Sequence, residues 1–152
     1  MLVVAVGRVR TPLAEAVAEY EKRAARYWKL EVVEVSSGPR GGTRDQVRTG
    51  EAERLLARIP DGLEIVALTR PGTPMGSMEL AGYLEGLGTR SAPGAAFVVG
   101  GAFGLGEAVI SRARRELSLS SFTLPHEMAR LVLAEQLYRA GTIVRGEPYH
   151  KG

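Results

Sequence analysis

The chain is expected to form one α/β domain built on a mainly parallel sheet with helices on both faces. Short β-branched runs alternate with stretches of helical periodicity from end to end, the order that builds a parallel sheet with crossover helices. Its 152 residues, 45% of them hydrophobic, suit a single core, and no repeat, low-complexity tract or linker divides them.

The elements follow in sequence. Leu2–Val6 is a β-branched run ended by Gly7 and reads as a buried strand. Thr11-Pro12 opens an amphipathic helix with Leu13, Ala16, Val17, Tyr20 and Ala24 at helical spacing. Residues 30–35 alternate apolar side chains with Glu31 and Glu34, as a strand near a sheet edge does. Residues 36–44 are glycine-rich, basic and without periodicity, which predicts a mobile loop. Asp45 is the expected cap of a helix to about Ile59, with Val47, Leu55, Leu56 and Ile59 inward and Gly50 weakening it. Residues 63–68 form a strand, and Pro71-Gly72-Thr73-Pro74 a turn. Ser77 caps a helix carrying Leu80, Tyr83, Leu84 and Leu87 that stops at Gly88. Ala95–Val99 is a strand ending in Gly100-Gly101. A short helix over 106–115 leads to a strand over 117–122, and Pro125 then opens a long helix to about Ile143.

Composition narrows the function classes. There is no cysteine, which excludes disulfides and thiolate metal sites, and two histidines, His126 and His150, make a histidine-rich metal centre unexpected. The apolar start is too short to span a membrane and lacks the basic flank of a secretion signal, so a cytoplasmic protein with no membrane partner is expected. Net charge is +3 from 20 basic and 17 acidic residues, a mild lean that permits an RNA partner without demanding one. Seventeen of the cations are arginine, whose planar fork suits phosphate, although genome composition or heat adaptation produces the same usage. Arg8, Arg10, the loop residues Arg40 and Arg44, and Lys151 are candidates to hold RNA phosphates.

Gly100-Gly-Ala-Phe-Gly-Leu-Gly106 lies where ligands bind in open α/β sheets, at a strand's carboxyl end before a helix. Gly101 and Gly106 have P-loop spacing, but Glu107-Ala108 replace the lysine and hydroxyl residue that a phosphate loop needs. The dinucleotide fingerprint is not matched either, and a tight turn without any ligand stays open. The last helix carries Met128, Leu131, Val132, Leu133, Leu137 and Tyr138 over a broad arc, so it is buried on two sides, under the sheet or in a subunit interface. Glu135 and Arg139, four residues apart, can simply pair on its surface.

The order of glycine turn, short helix, Ser118-Leu-Ser-Ser-Phe-Thr-Leu-Pro-His126, long helix and Pro148-Tyr149-His150 tail resembles the ribosomal RNA large-subunit methyltransferase H family, of the trefoil-knotted SPOUT superfamily. The likeness runs through Leu2-Val-Val-Ala-Val-Gly7, the Gly-Pro-Arg-Gly loop, Val66-Ala-Leu-Thr-Arg-Pro-Gly72, Val99-Gly-Gly-Ala-Phe-Gly-Leu105 and Ala134-Glu-Gln-Leu-Tyr-Arg-Ala140. It departs at Thr69-Arg70, where an acidic residue is common in relatives, and at Ala102-Phe103, which replace a Pro-Glu-like pair.

The resemblance implies a C-terminal trefoil knot, a homodimer, and methylation of N3 of a pseudouridine in 23S ribosomal RNA, with S-adenosylmethionine as cofactor and no metal. It places the cofactor on Leu68, Gly100 and the run Ser120, Ser121, Phe122, Thr123, Leu124 and Pro125. Because the imide N3–H must lose its proton, His150 is the candidate acceptor, with Tyr149 and Arg139 orienting the base. A knotted methyltransferase of tRNA and a non-catalytic ribosome-binding protein are the competing readings.

Overall fold

In the computed structural model, which describes residues 1–90 and 92–151, five parallel strands form one sheet of order β2-β1-β4-β3-β5. The strands are β1 (Leu2–Val6), β2 (Glu31–Val35), β3 (Glu64–Pro74), β4 (Ala95–Val99) and β5 (Arg115–Ser118). Between and after them come α1 (Ala14–Trp28), α2 (Arg44–Leu56), α3 (Ser77–Thr89), α4 (Glu107–Arg112) and α5 (His126–Val144), then a single 3-10 turn at Pro148–Lys151. β1 and β4 are buried along their whole length and pair in register, Val4 opposite Val98. β2 lies at an edge, where its two exposed glutamates reach solvent.

Alternation along the strands sorts the core into two layers. Val3, Ala5, Val66, Phe97 and Val99 face α1, α3 and α5 through Ala24, Leu84, Leu133 and Leu137. Leu2, Val4, Val6, Ala67 and Val98 face α2 and α4 through Ala52, Leu55 and Val109. α5 packs against both α1 and α3. Trp28 Nε1 donates to the Leu137 carbonyl at 2.7 Å, and the buried Arg130 guanidinium joins three elements through Glu21 (2.8 Å) and Glu34 (2.7 Å). Burial works against the charge on Arg130, but its hydrogen bonds to the two carboxylates outweigh that cost and hold the guanidinium above its usual value.

Several boundaries differ from expectation for local reasons. α1 begins at Ala14, two residues after Pro12, because residues 10–13 form a turn closed on the Arg10 carbonyl. Thr43, not Asp45, caps α2: its hydroxyl accepts from the Gln46 N–H and Gln46 returns a carbonyl to the Thr43 N–H, while Asp45 pairs with Arg48. The cap of α3 is Gly76, whose N–H is taken by Glu79, and Ser77 donates to Gln136 instead. β3 runs on through the expected turn to Pro74, past an irregularity between Leu68 and Thr73. Beyond Leu68 it pairs with β5, with no register to β4, so its prolines break no ladder on the other side. β5 starts and ends earlier than expected, since Ser118 and Ser120 turn their hydroxyls onto the local backbone.

Gly141 of α5 faces Tyr27 of α1 so closely that a Cβ there would lie 2.7 Å from the Tyr27 Cβ. Helix propensity favours alanine at such a site by about 1 kcal/mol, whereas overpacking costs about 1–3 kcal/mol. Gly141→Ala should therefore lower stability in urea denaturation; an unchanged or raised midpoint would show that α1 is free to shift away.

Candidate active site

The carboxyl ends of β1, β3, β4 and β5 open on the same edge of the sheet, and a cavity of about 490 Å³ lies there. One wall is the turn after β4. Gly104 N–H donates to the Gly101 carbonyl at 3.1 Å, and Gly104 takes a φ of +79°, a conformation natural to glycine. Gly100 is packed against the far side of this turn, where a Cβ would stand 2.8 Å from the Gly104 carbonyl carbon. A second wall is the irregular stretch of β3, whose Gly72 abuts the Glu116 backbone; a Cβ there would lie 2.8 Å from it. The third is the passage from β5 to α5, with Leu119, Ser120, Phe122, Thr123 and Leu124 on the cavity. Much of the lining is therefore main chain and leucine, a surface for a flat, partly polar ligand.

Of the residues expected to hold a cofactor, Leu68, Gly100, Ser120, Phe122, Thr123 and Leu124 line this cavity, and Ser121 and Pro125 do not. Phe122 is 80% exposed, an aromatic ring at the mouth. The charged and polar lining was mostly unforeseen: Arg48, Thr69, Arg70, Glu107, Glu116 and His126. Thr69 Oγ1 donates to Glu116 Oε2 at 3.0 Å, which ties the β3 wall to β5. Thr69, Arg70 and Glu116 all stand near strand carboxyl ends, so the rule that directed attention to Gly100 points to them as well. Arg48 is contributed by α2 through packing alone and leaves no such mark.

A family model described as "Predicted SPOUT methyltransferase" matches residues 1–150. The chain belongs to the SPOUT methyltransferase family. It is 55% identical over 148 residues to a ribosomal RNA large subunit methyltransferase H of Gemmatimonas aurantiaca, covering 96% of each chain. Relatives of the same name from an Anaeromyxobacter species (47% identical, 98% of this chain and 97% of the relative) and Listeria monocytogenes (43% identical, 98% of each) also align from end to end.

In this SPOUT chain the three residues expected to act on the substrate lie away from the cavity. Ala129, on the first turn of α5, lines it; Arg139 is ten residues further along, about 15 Å at 1.5 Å per residue. There Glu135 Oε1 receives Arg139 through Nε (3.0 Å) and Nη2 (2.6 Å), together with the Tyr149 hydroxyl at 3.1 Å. The Arg139–Glu135 pair foreseen on the helix surface thus exists, with Tyr149 added to it. The Tyr149 ring rests 4.5 Å from that of Tyr138 and under the Arg139 guanidinium at 4.8 Å. Burial, then the neighbouring Tyr20 hydroxyl and Glu135, pushes the Tyr149 phenol well above its ordinary value, so it keeps its proton at neutral pH. His150 follows, partly buried, with Nδ1 enclosed and without a hydrogen-bond partner.

The basic residues divide likewise. Arg44, expected on the loop, is instead the first residue of α2 after the Thr43 cap and lies over the Phe103 ring of the glycine turn at 5.4 Å, while Arg40 is exposed on the loop before it. Arg8 is largely exposed with a loose 3.7 Å contact to Glu34, and Arg10 gives its backbone N–H to Glu127 at the start of α5. Arg44 and Arg10 thus adjoin elements that line the cavity, the glycine turn and α5, whereas Lys151 is on the C-terminal turn with Tyr149. No helix among the described residues is long and apolar enough to cross a membrane, and no group of three acidic, histidine or cysteine residues among them could hold a metal ion.

Proposed function

We propose that this chain is a homodimeric, S-adenosylmethionine-dependent methyltransferase acting in the cytoplasm on N3 of a pseudouridine in large-subunit (23S) ribosomal RNA. The observation that carries the reading is the cavity at the carboxyl edge, closed by the glycine turn, Leu68 and the backbone of residues 119–124. The printed names of the relatives favour ribosomal RNA over tRNA. The residues fit the cofactor: about 490 Å³ is within the range of small-molecule sites, and the place a Cβ of Gly100 would fill is taken by the turn's own backbone, which keeps that wall thin. Leu68 and Leu119 offer apolar contact for an adenine, the 120–124 backbone offers hydrogen bonds to its edge, and Glu116 is an acceptor for hydroxyl or ammonium groups. The C-terminal knot implied by the family resemblance would wrap the β3 irregularity and the 119–125 passage around that ligand.

When bound, the cofactor supplies an electrophilic methyl group on its sulfonium. This chain's residues must then orient the base and take the N3 proton. His150 accepts that proton; Tyr149, protonated, and Arg139 are donors for the two flanking carbonyl oxygens. Holding nucleophile and methyl in line contributes on the order of 7–11 kcal/mol in favourable systems. Since this trio stands about 15 Å along α5 from its own cavity, it serves the partner's cavity, and α5 with its half-exposed Leu131, Val132 and exposed Met128 forms part of the dimer face.

Three measurements test the reading. Calorimetric titration should show saturable S-adenosylmethionine binding that Gly100→Val abolishes without loss of fold; a folded wild type that binds nothing, even with ribosomes present, removes the cofactor from the scheme. Charge removal at Arg40 and Arg44 together should weaken RNA binding and flatten the salt dependence by about 1.5 to 2 in slope; an unchanged slope takes the loop out of the RNA contact. Mixing inactive Gly100→Val with inactive His150→Asn subunits should restore partial activity, because one site of each mixed dimer has an intact cavity and an intact tail. Mixed dimers as inactive as their parents would place tail and cavity in the same subunit.

A further inference from the structure

Glu51, in the middle of α2, is the only buried carboxylate among the described residues, at 3% exposure. Such a group is strongly unfavourable unless its oxygens are hydrogen-bonded. Oε1 accepts the Gly38 N–H at 3.0 Å; Oε2 is enclosed and has no partner. Both oxygens press against the glycine turn, since a Cβ on Gly101 would lie 2.9 and 3.0 Å from them. One carboxylate therefore touches the loop that carries Arg40 and the floor of the ligand cavity at once.

The same helix fastens both partners at further points. Gly38 is packed on Val47, where a Cβ would be 2.7 Å from Cγ1, and Arg54 Nε donates to the Ser36 carbonyl at 3.0 Å. On the other flank, Gly106 ends the turn against the Arg48 carbonyl, 2.6 Å from where its Cβ would be. The methyl-transfer scheme gives Glu51 no task, and its cost in isolation asks for one.

We infer that Glu51 is a positioning residue that couples the ligand cavity to the basic loop over residues 36–42. Gly101 is seated on the carboxylate while Oε1 holds the Gly38 N–H, so a ligand that stiffens the turn stiffens the loop as well and fixes Arg40 for RNA when the cavity is filled. By linkage, RNA on the loop tightens the ligand by the same factor. The inference rests on the proposed function.

The test is amide hydrogen exchange across residues 36–42 with and without saturating S-adenosylhomocysteine, which fills the site without reacting, with occupancy checked by calorimetry in the same samples. In the wild type, exchange at Gly38 and its neighbours should slow on the order of fivefold or more when the ligand binds. Glu51→Gln keeps an oxygen for the Gly38 N–H and should keep the slowing. Glu51→Met, an apolar side chain of similar length that buried positions tolerate, should bind ligand yet lose it. An occupied wild-type cavity with unaltered loop exchange overturns the coupling and leaves the methyltransferase reading standing. Slowing that persists in Glu51→Met overturns the role of Glu51. If Glu51→Met does not fold, the wild-type comparison alone decides the coupling. No occupancy of the wild type, with or without ribosomal RNA, removes the underlying reading instead.

Discussion

β1 and β4 lie side by side at the centre of the sheet with every residue buried, and this pair sets the terms for the rest of the chain. Parallel strands buried on both faces need a layer on each side, so successive helices must cross alternately above and below. α1, α3 and α5 cover one face and α2 and α4 the other. Each crossover carries the chain back to the amino edge. All the outgoing loops consequently collect at the carboxyl edge, and the cavity is where those after β3, β4 and β5 meet.

What holds those loops there is close contact of main chain with main chain. Gly72 on the Glu116 backbone, Gly100 on Gly104 and Gly106 on the Arg48 carbonyl each leave no room for a side chain. Walls made this way present N–H and C=O groups directly to a ligand and leave specificity to a few added side chains. α2 lies beneath one wall and, through Glu51 and Arg54, beneath the basic loop as well. α5 relates to the site differently. Its first turn reaches the cavity through His126 and Ala129, and its far end builds the cluster of Glu135, Arg139, Tyr138 and Tyr149. A stiff helix between them keeps the two apart within one subunit, which gives the proposed dimer its chemical purpose.

Much of the site could be read in the residues because its signals are local. Gly100 to Gly106 is a glycine-dense turn after an apolar run, and a passage of small polar residues ahead of Pro125 marks a strand-to-helix crossing. The glycine turn could be found on that basis, whereas Leu68 and residues 120, 122, 123 and 124 are named from family likeness alone, and with Gly100 they line one cavity. Arg48 and His126 carry no mark of the site, because an arginine inside a helix and a histidine at a helix start look the same whether or not a cavity lies beside them. Boundaries slipped wherever side chains competed with an expected pattern, as at Thr43 with Gln46 or Ser118 with Ser120. In β3 the prolines suggest a turn from sequence, while pairing with β5 alone lets them remain in the strand.

By itself, the sequence determined the α/β class, the five strands, the helices between them and the family, since hydrophobic period and turn chemistry act over a few residues and survive without a third dimension. Only the tertiary structure decided the order β2-β1-β4-β3-β5, the burial of Glu51 under Gly101, the Thr69–Glu116 tie, and the distance between the cavity and the Arg139–Tyr149 cluster. Each of these depends on contacts between residues far apart in the chain, set by which strand pairs with which and by how helices pack. No short window of residues carries that information.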